Sequence, residues 1–251
     1  MSAGVFCDLV HPVDSREVDL FGQMRMSALL GVLQEAAAAA MTELEMDAPR
    51  LMAKYHAIWI VNRYHVKLAR PLHWGDRVTV RTWHRGGGSG SVYREFALYL
   101  DGAVVGSAVS LWVMVDPDSH KVVPARGCPE LQGTDGGALC GRERLHRLDL
   151  PETFDGRTLR ELRYSETDMN GHINNAHYAD FLCDALHLER LGRGKYPAEF
   201  HICFLGESLA GESVALDTAL REDTLYARGT GPDGRERFQC SMTLAPLPEQ
   251  N

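Results

Sequence analysis

The sequence predicts an α+β protein built from two similar halves, each a long helix accompanied by a run of antiparallel strands. Three observations lead there. A short polar block occurs twice, each time just ahead of a helix. Segments with strand-like alternation, separated by tight-turn residues, follow each helix. A glycine-rich stretch of little periodicity lies between the copies, which gives an N-terminal domain over 1–127, a linker over 128–157 and a C-terminal domain over 158–251.

In the first copy Glu17, Asp19 and Gly22 are spaced as Glu166, Asp168 and Gly171 are in the second, with the same polar/apolar alternation between them. The helix expected after the first block runs from Ser27 to about Leu44. Its centre, Ala36 to Ala40, has side chains small enough for a sheet to curl closely around it. The second helix is expected over Ala176–Leu191, with Asn174 or Asn175 as its N-cap. A further echo sets Arg70–Val78 against Gly206–Val214, each at the entrance to a strand.

Strands are expected in the first half over Ile58–Leu68, Arg77–Trp83, Val92–Leu100 and Ala103–Val115, with Asp101-Gly102 as a hairpin turn. In the second half they fall over Thr158–Ser165, Glu199–Leu205, Ser213–Leu220, Leu225–Gly229 and Arg235–Leu244, with a turn at Pro232-Asp233-Gly234. The run Gly86-Gly87-Gly88-Ser89-Gly90 has no Lys-Ser/Thr behind it and leads into a strand, so it reads as a hairpin tip and not a phosphate loop.

Composition narrows the function. The chain has 251 residues, 45% of them hydrophobic, and a formal net charge of −8, which argues against a general nucleic-acid binder. No apolar run reaches membrane-spanning length, and Met1 to Ser15 lacks a basic stretch followed by an apolar one, so the expectation is a cytoplasmic protein with no membrane partner. The six cysteines are scattered without a C-x-x-C and are expected as reduced thiols. His172, His177 and His187 do not form the i, i+4 pair of a helical zinc site, so no metal is expected.

The chemistry concentrates at Glu166–Asn175. In an extended or gently turning chain, residues two apart share a side, so Asp168, Asn170 and His172 would project together from a backbone whose other side is mostly apolar. They stand just ahead of a helix N-terminus, where backbone N–H groups favour developing negative charge. Polar residues at such a point often do no more than shape a turn or cap a helix, and Asn174 and Asn175 fit that role. The repeat separates the two readings. Phe21 and Gln23 stand where the second copy has Asn170 and His172, and Pro71 stands where it has Glu207, so three positions carry reactive groups in the second copy alone. Asp19 keeps the chemistry of Asp168, which makes the aspartate partly structural.

At these residues the sequence resembles the acyl-ACP thioesterases of bacteria and plants. Asp168, Asn170, His172, Asn174 and Asn175 match a D-x-N-x-H-x-N-N block, and Glu207 precedes a Gly-acid strand entry at Gly211-Glu212. Glu17-Val18-Asp19, Leu33-Gln34-Glu35-Ala36-Ala37, Arg70-Pro71 with Trp74-Gly75-Asp76, and Thr82-Trp83 with Trp112 extend the likeness through the first half. The resemblance implies two tandem hotdog domains and hydrolysis of the thioester between a fatty acyl chain and acyl carrier protein (ACP). It also implies water activation by His172 and Glu207, with no cofactor. Asn170 would place the water or the thioester carbonyl, Asp168 would hold its neighbours, and backbone N–H groups at the second helix would stabilise the oxyanion. The degenerate first half would contain the acyl chain, with Met24, Met26, Leu29, Leu33 and Trp59 as candidate lining.

Two departures stand out. Plant members often carry a cysteine after the glutamate, where this chain has Ser208, and their chloroplast transit segment has no counterpart here; a bacterial-type protein is implied. The competing readings are an acyl-CoA thioesterase with the same chemistry, a hotdog hydratase, whose Asp/His spacing is missing, and a non-catalytic acyl-thioester binding module. A tandem pair supplies its own pairing, which is compatible with a monomer or a homodimer.

Overall fold

The computed structural model describes residues 6–87, 90–131 and 144–249. The expected tip at Gly88-Ser89, and Gly133, Gly136, Gly137 and Gly141 of the expected linker, lie outside them. The chain divides into two compact units. The first comprises Met1–Val13, Gly31–Lys67 and Gly75–Leu145; the second comprises Asp14–Leu30, Leu68–Trp74 and His146–Asn251.

The first unit contains strands β1 (Cys7–Pro12), β2 (Ile58–Leu68), β3 (Arg77–Gly87), β4 (Val92–Leu100) and β5 (Ala103–Val115), most of helix α1 (Met26–Glu43), and helix α2 (Ala48–Tyr55). Its strands lie in the order β1-β3-β4-β5-β2. β3, β4 and β5 form an antiparallel meander, with Asp101 and Gly102 both at positive φ in the turn between the last two. Leu30, Leu33, Ala36 and Ala37 of α1 are buried, as the alanine-rich centre requires. The sequence reading missed α2, although its start is a strong local signal. Asp47 is extended and its carboxylate accepts the Arg50 N–H, with a proline in the first turn.

The second unit holds β6 (Gly156–Glu161), helix α3 (His177–Ala185), the short helix α4 (Leu188–Leu191), β7 (Lys195–Phe204), β8 (Ser213–Arg221), β9 (Thr224–Thr230) and β10 (Glu236–Pro246). Its strands lie in the order β7-β10-β9-β8-β6. Read from the other edge this is β6-β8-β9-β10-β7, the topology of the first unit. β1, which the sequence reading also missed, is therefore the counterpart of β6: each pairs antiparallel with the strand that follows the second echo. α3 packs on β8, β9 and β10. Its Tyr178 and Phe181 meet Phe238 of β10 with ring centroids 4.6 and 6.5 Å apart.

The single helix expected over Ala176–Leu191 is in fact two. His187 adopts a left-handed conformation at φ 55, which ends the helical ladder between α3 and α4. Asp14–Leu30 belongs with the second unit, although it lies in the N-terminal half of the sequence. The reason is a set of long-range contacts: Gln23 Nε2 donates to the Lys195 carbonyl at 2.9 Å, and Ser27 Oγ donates to Asp180 Oδ1 at 2.6 Å. The cysteines of the described residues are free thiols. No helix among the described residues is long and apolar enough to cross a membrane.

Candidate active site

All four residues expected to carry the chemistry belong to the second unit. The stretch that bears three of them is a tight turn, sharper than the extended or gently turning chain that period-two spacing assumes. The Asp168 N–H donates to the His172 carbonyl at 2.8 Å, and the Gly171 N–H donates back to the Asp168 carbonyl at 3.1 Å. Gly171 takes φ +80, a conformation that glycine adopts without steric penalty. Alternation fails at the tip of such a turn. Met169, expected on the apolar side, is 99% exposed, while Ile173 is buried.

Asp168 sits beneath the turn as its anchor. Its Oδ1 accepts the backbone N–H of Asn170 at 2.8 Å and of His172 at 3.4 Å, and its Oδ2 meets Asn170 Nδ2 at 3.5 Å. A second anchor was not read from the sequence. Glu166 is largely buried; one carboxylate oxygen accepts the Arg163 N–H at 2.8 Å and the other accepts Arg160 Nη2 at 2.5 Å, while the Asn174 N–H donates to the Glu166 carbonyl at 2.8 Å. The recurrence of this glutamate as Glu17, whose carboxylate accepts the Asp14 N–H at 2.9 Å, was the signal available in the sequence.

Glu207 reaches the turn from the loop between β7 and β8. That loop is clamped at both ends. The N–H groups of Leu205 and Gly206 donate to the Arg237 carbonyl at 2.8 and 3.1 Å, and the Gly211 N–H donates to the Leu162 carbonyl at 2.8 Å. In its middle the Ser208 carbonyl accepts the Ile173 N–H at 2.8 Å, which joins the loop to the histidine turn. The result is a contact of 3.3 Å between His172 Nε2 and Glu207 Oε2. Both side chains remain open to solvent, the histidine 36% and the glutamate 64%. An imidazole held by a carboxylate at a solvent-accessible surface can take a proton from water.

Local backbone bonding revises one expectation. The N–H groups of Ala176, His177 and Ala179 donate to Asn174 Oδ1, the Asn174 carbonyl and the Ala176 carbonyl at 2.9, 3.0 and 3.2 Å. These three donors at the start of α3 are committed, so the helix entrance is not the open row of N–H groups that the sequence reading assumed for an oxyanion. Asn174 does serve the entrance through its side chain, while Ala176 occupies the cap position itself.

The five residues named as acyl lining separate. Trp59 forms part of the wall of a cavity of about 200 Å³ in the first unit. Met24, Met26, Leu29 and Leu33 are buried core residues outside that wall. Among the described residues the group with metal-ligand spacing is His56, Asp116 and Asp118 of the first unit, which includes none of the residues above.

A family model described as the acyl-ACP thioesterase N-terminal domain matches residues 7–126, and one described as the C-terminal domain of the same enzymes matches residues 155–229. The chain belongs to the acyl-ACP thioesterase family. An oleoyl-acyl carrier protein thioesterase of Arabidopsis thaliana is 26% identical over 148 residues, which is 54% of this chain and 41% of the relative. A dodecanoyl-[acyl-carrier-protein] hydrolase of Cinnamomum camphora is 25% identical over 145 residues, 54% of this chain and 37% of the relative. The chain thus matches about two fifths of the length of these relatives. Among solved structures, an acyl-ACP thioesterase of Bacteroides thetaiotaomicron superposes with a TM-score of 0.86 at 17% identity, covering 96% of this chain and 98% of the other. A 12:0-ACP thioesterase of Umbellularia californica gives 0.83 at 19% identity over 97% and 98%. At those identities the likeness establishes the shared tandem hotdog fold.

Proposed function

We propose that this member of the acyl-ACP thioesterase family hydrolyses the thioester between a fatty acyl chain and acyl carrier protein, releasing free fatty acid and the carrier thiol. The observation that carries the reading is the 3.3 Å contact between His172 Nε2 and Glu207 Oε2, made by a turn and a loop that are each fixed by backbone hydrogen bonds. Histidine is the side chain that is partly unprotonated near neutral pH, as a base toward water must be. In this mechanism the imidazole takes a proton from the attacking water, and Glu207 orients the ring and offsets the imidazolium charge. Asn170, exposed at the turn tip, offers its carboxamide to the thioester carbonyl, and Asp168 acts through the backbone of the turn. No cofactor enters the scheme.

The N-terminal half takes the acyl chain in this reading, with the first-unit cavity beside Trp59 as the supporting feature. A cytoplasmic location and a monomeric or homodimeric state belong to the same proposal. The test is thiol release from acyl-ACP and acyl-CoA substrates of graded chain length. Turnover of acyl-ACP above that of acyl-CoA is expected. Release from acyl-CoA alone would assign a different carrier, and release from neither would leave a binding module.

A further inference from the structure

Residues 160–163, at the end of β6 and just beyond it, are tied to both halves of the His172–Glu207 pair. On one side, the Leu162 N–H donates to the Glu212 carbonyl at 2.9 Å, and the Leu162 carbonyl accepts the Gly211 N–H at 2.8 Å, which fixes the end of the loop that carries Glu207. On the other side, Arg160 Nη2 donates to Glu166 Oε1 at 2.5 Å. Glu166 closes the base of the histidine turn, where its carbonyl accepts the Asn174 N–H. The same guanidinium reaches α3. Its Nη1 donates to Asp184 Oδ2 at 2.8 Å, and its central carbon lies 4.1 Å from the centre of the Phe181 ring. All of these residues belong to the second unit.

The arrangement is poorly suited to stability alone. Arg160 Nε is buried with no hydrogen-bond partner among the described residues. The Arg160 and Glu166 side chains are 27% and 11% exposed, so desolvation offsets much of their attraction. What a planar guanidinium does supply is a fixed distance between two acceptors. The repeat adds a second observation. The spacing that sets Asp168 on Asp19 and Glu166 on Glu17 sets Arg160 on His11, which is paired with Val78 of β3 as Arg160 is paired with Val214 of β8. The guanidinium therefore belongs to the copy that bears the reactive side chains. We infer that Arg160 is a positioning residue for the His172–Glu207 pair: acting through Glu166, from the strand that also holds the Glu207 loop, it sets the reach of the imidazole to the carboxylate. The inference rests on the hydrolase reading above and adds a residue to it. The opposing view makes Arg160 a strut between β6 and α3, felt in stability and not in turnover.

The experiment has two readouts, kcat and KM for the acyl thioester turned over fastest, and the ring NMR resonances of His172, identified by their loss in His172→Ala. Both are taken on the intact protein, Arg160→Met, Arg160→Lys, Glu166→Gln, Asp184→Ala and Glu207→Gln. Arg160→Met and Glu166→Gln are each expected to lower kcat about tenfold or more with KM within about twofold, and their double variant to be hardly worse than either alone. Both should move the His172 ring resonances in the direction seen in Glu207→Gln. Arg160→Lys should recover part of the loss, and Asp184→Ala, which severs only the arm to α3, should keep kcat within about twofold. An unchanged kcat in Arg160→Met overturns the proposal, and so does an equal loss in Asp184→Ala. Should Arg160→Met fail to fold, Glu166→Gln and Arg160→Lys decide, and unchanged kcat and resonances in both overturn it. Release of thiol from no acyl thioester by the intact protein removes the hydrolase reading. The resonances then decide alone: a shift in Arg160→Met keeps the positioning role, and no shift overturns it.

Discussion

Asp19 and Asp168 perform the same task on two turns of the second unit. Oδ1 of Asp19 accepts the N–H groups of Phe21 and Gln23 at 2.8 and 3.0 Å, as Oδ1 of Asp168 accepts those of Asn170 and His172. The correspondence continues bond for bond. The Met24 N–H donates to the Leu72 carbonyl at 2.7 Å where the Ile173 N–H donates to Ser208, and the Arg25 N–H donates to the Glu17 carbonyl where the Asn174 N–H donates to Glu166. Gly22 and Gly171 take φ +73 and +80. The turn is therefore a structural unit that exists without the chemistry. Only the side chains at its tip and on the facing loop differ, with Phe21, Gln23 and Pro71 in one copy and Asn170, His172 and Glu207 in the other.

On the proposed mechanism, that equivalence makes Asp168 a positioning residue. Replacing either aspartate with alanine is expected to cost about 1 kcal/mol of stability through the lost backbone acceptors. Asp168→Ala should also lower kcat, because the imidazole is displaced. Asp19→Ala should leave turnover close to the unaltered level. Thermal melts and thiol release on both variants check this, and an inactive Asp168→Ala of unchanged stability would instead place the carboxylate in the chemistry.

His172 and Glu207, 3.3 Å apart, are expected to act as one unit. His172→Ala should reduce kcat by about 10²–10⁴-fold with little change in melting, and Glu207→Gln by a smaller factor. The double variant should be hardly worse than His172→Ala alone. Multiplicative losses in kcat/KM would show that the two groups work separately.

Packing beneath the site gives a stability prediction. A Cβ on Gly229 of β9 would lie 2.1 Å from Phe238 Cε1, and Phe238 is fully buried against Tyr178 and Phe181 of α3. The ring cannot swing away without disturbing the helix that follows the histidine turn. Gly229→Ala is expected to destabilise the protein by about 3 kcal/mol, read from urea denaturation, at the upper end of ordinary overpacking. A loss below about 1 kcal/mol would mean that the ring has room to move.

Glu130 offers a pH test in the first unit. Lys54 beside it, together with its own backbone N–H and the Tyr55 hydroxyl at 2.8 Å, holds its carboxyl at about 2, against an ordinary 4.5. A carboxyl depressed in the folded state contributes stability above its unfolded pKa and loses it as pH falls toward the folded value. The stability gap between the unaltered protein and Glu130→Gln should be full at neutral pH and close between about pH 4.5 and 2. A gap of constant size across that window would rule out this ion pair as its source.

Much of the local structure was legible in the sequence. β2, β4 and β5 begin and end where alternation and the Asp101-Gly102 turn place them, because period-two burial and the left-handed preference of such dipeptides act within a few residues. The repeated Glu, Asp and Gly of the two turns were legible for the same reason. β1, α2 and the break at His187 were not taken from the sequence. For β1 and α2 the signals were present, in the topology of the repeat and in the Asp47 cap.

By itself the sequence determined that a Glu, Asp and Gly block recurs ahead of two helices and that Asn170, His172 and Glu207 stand in the second copy alone. Tertiary structure alone decided three things. It brought Glu207 to His172 across the Ile173–Ser208 hydrogen bond, it gathered Asp14–Leu30 into the second unit, and it set Arg160 between Glu166 and Asp184. The physical reason is range. Turns and strands follow from bonds between near neighbours, whereas which distant loop supplies a carboxylate, and which strand residue spans two carboxylates, depends on how the whole sheet and helix close on one another.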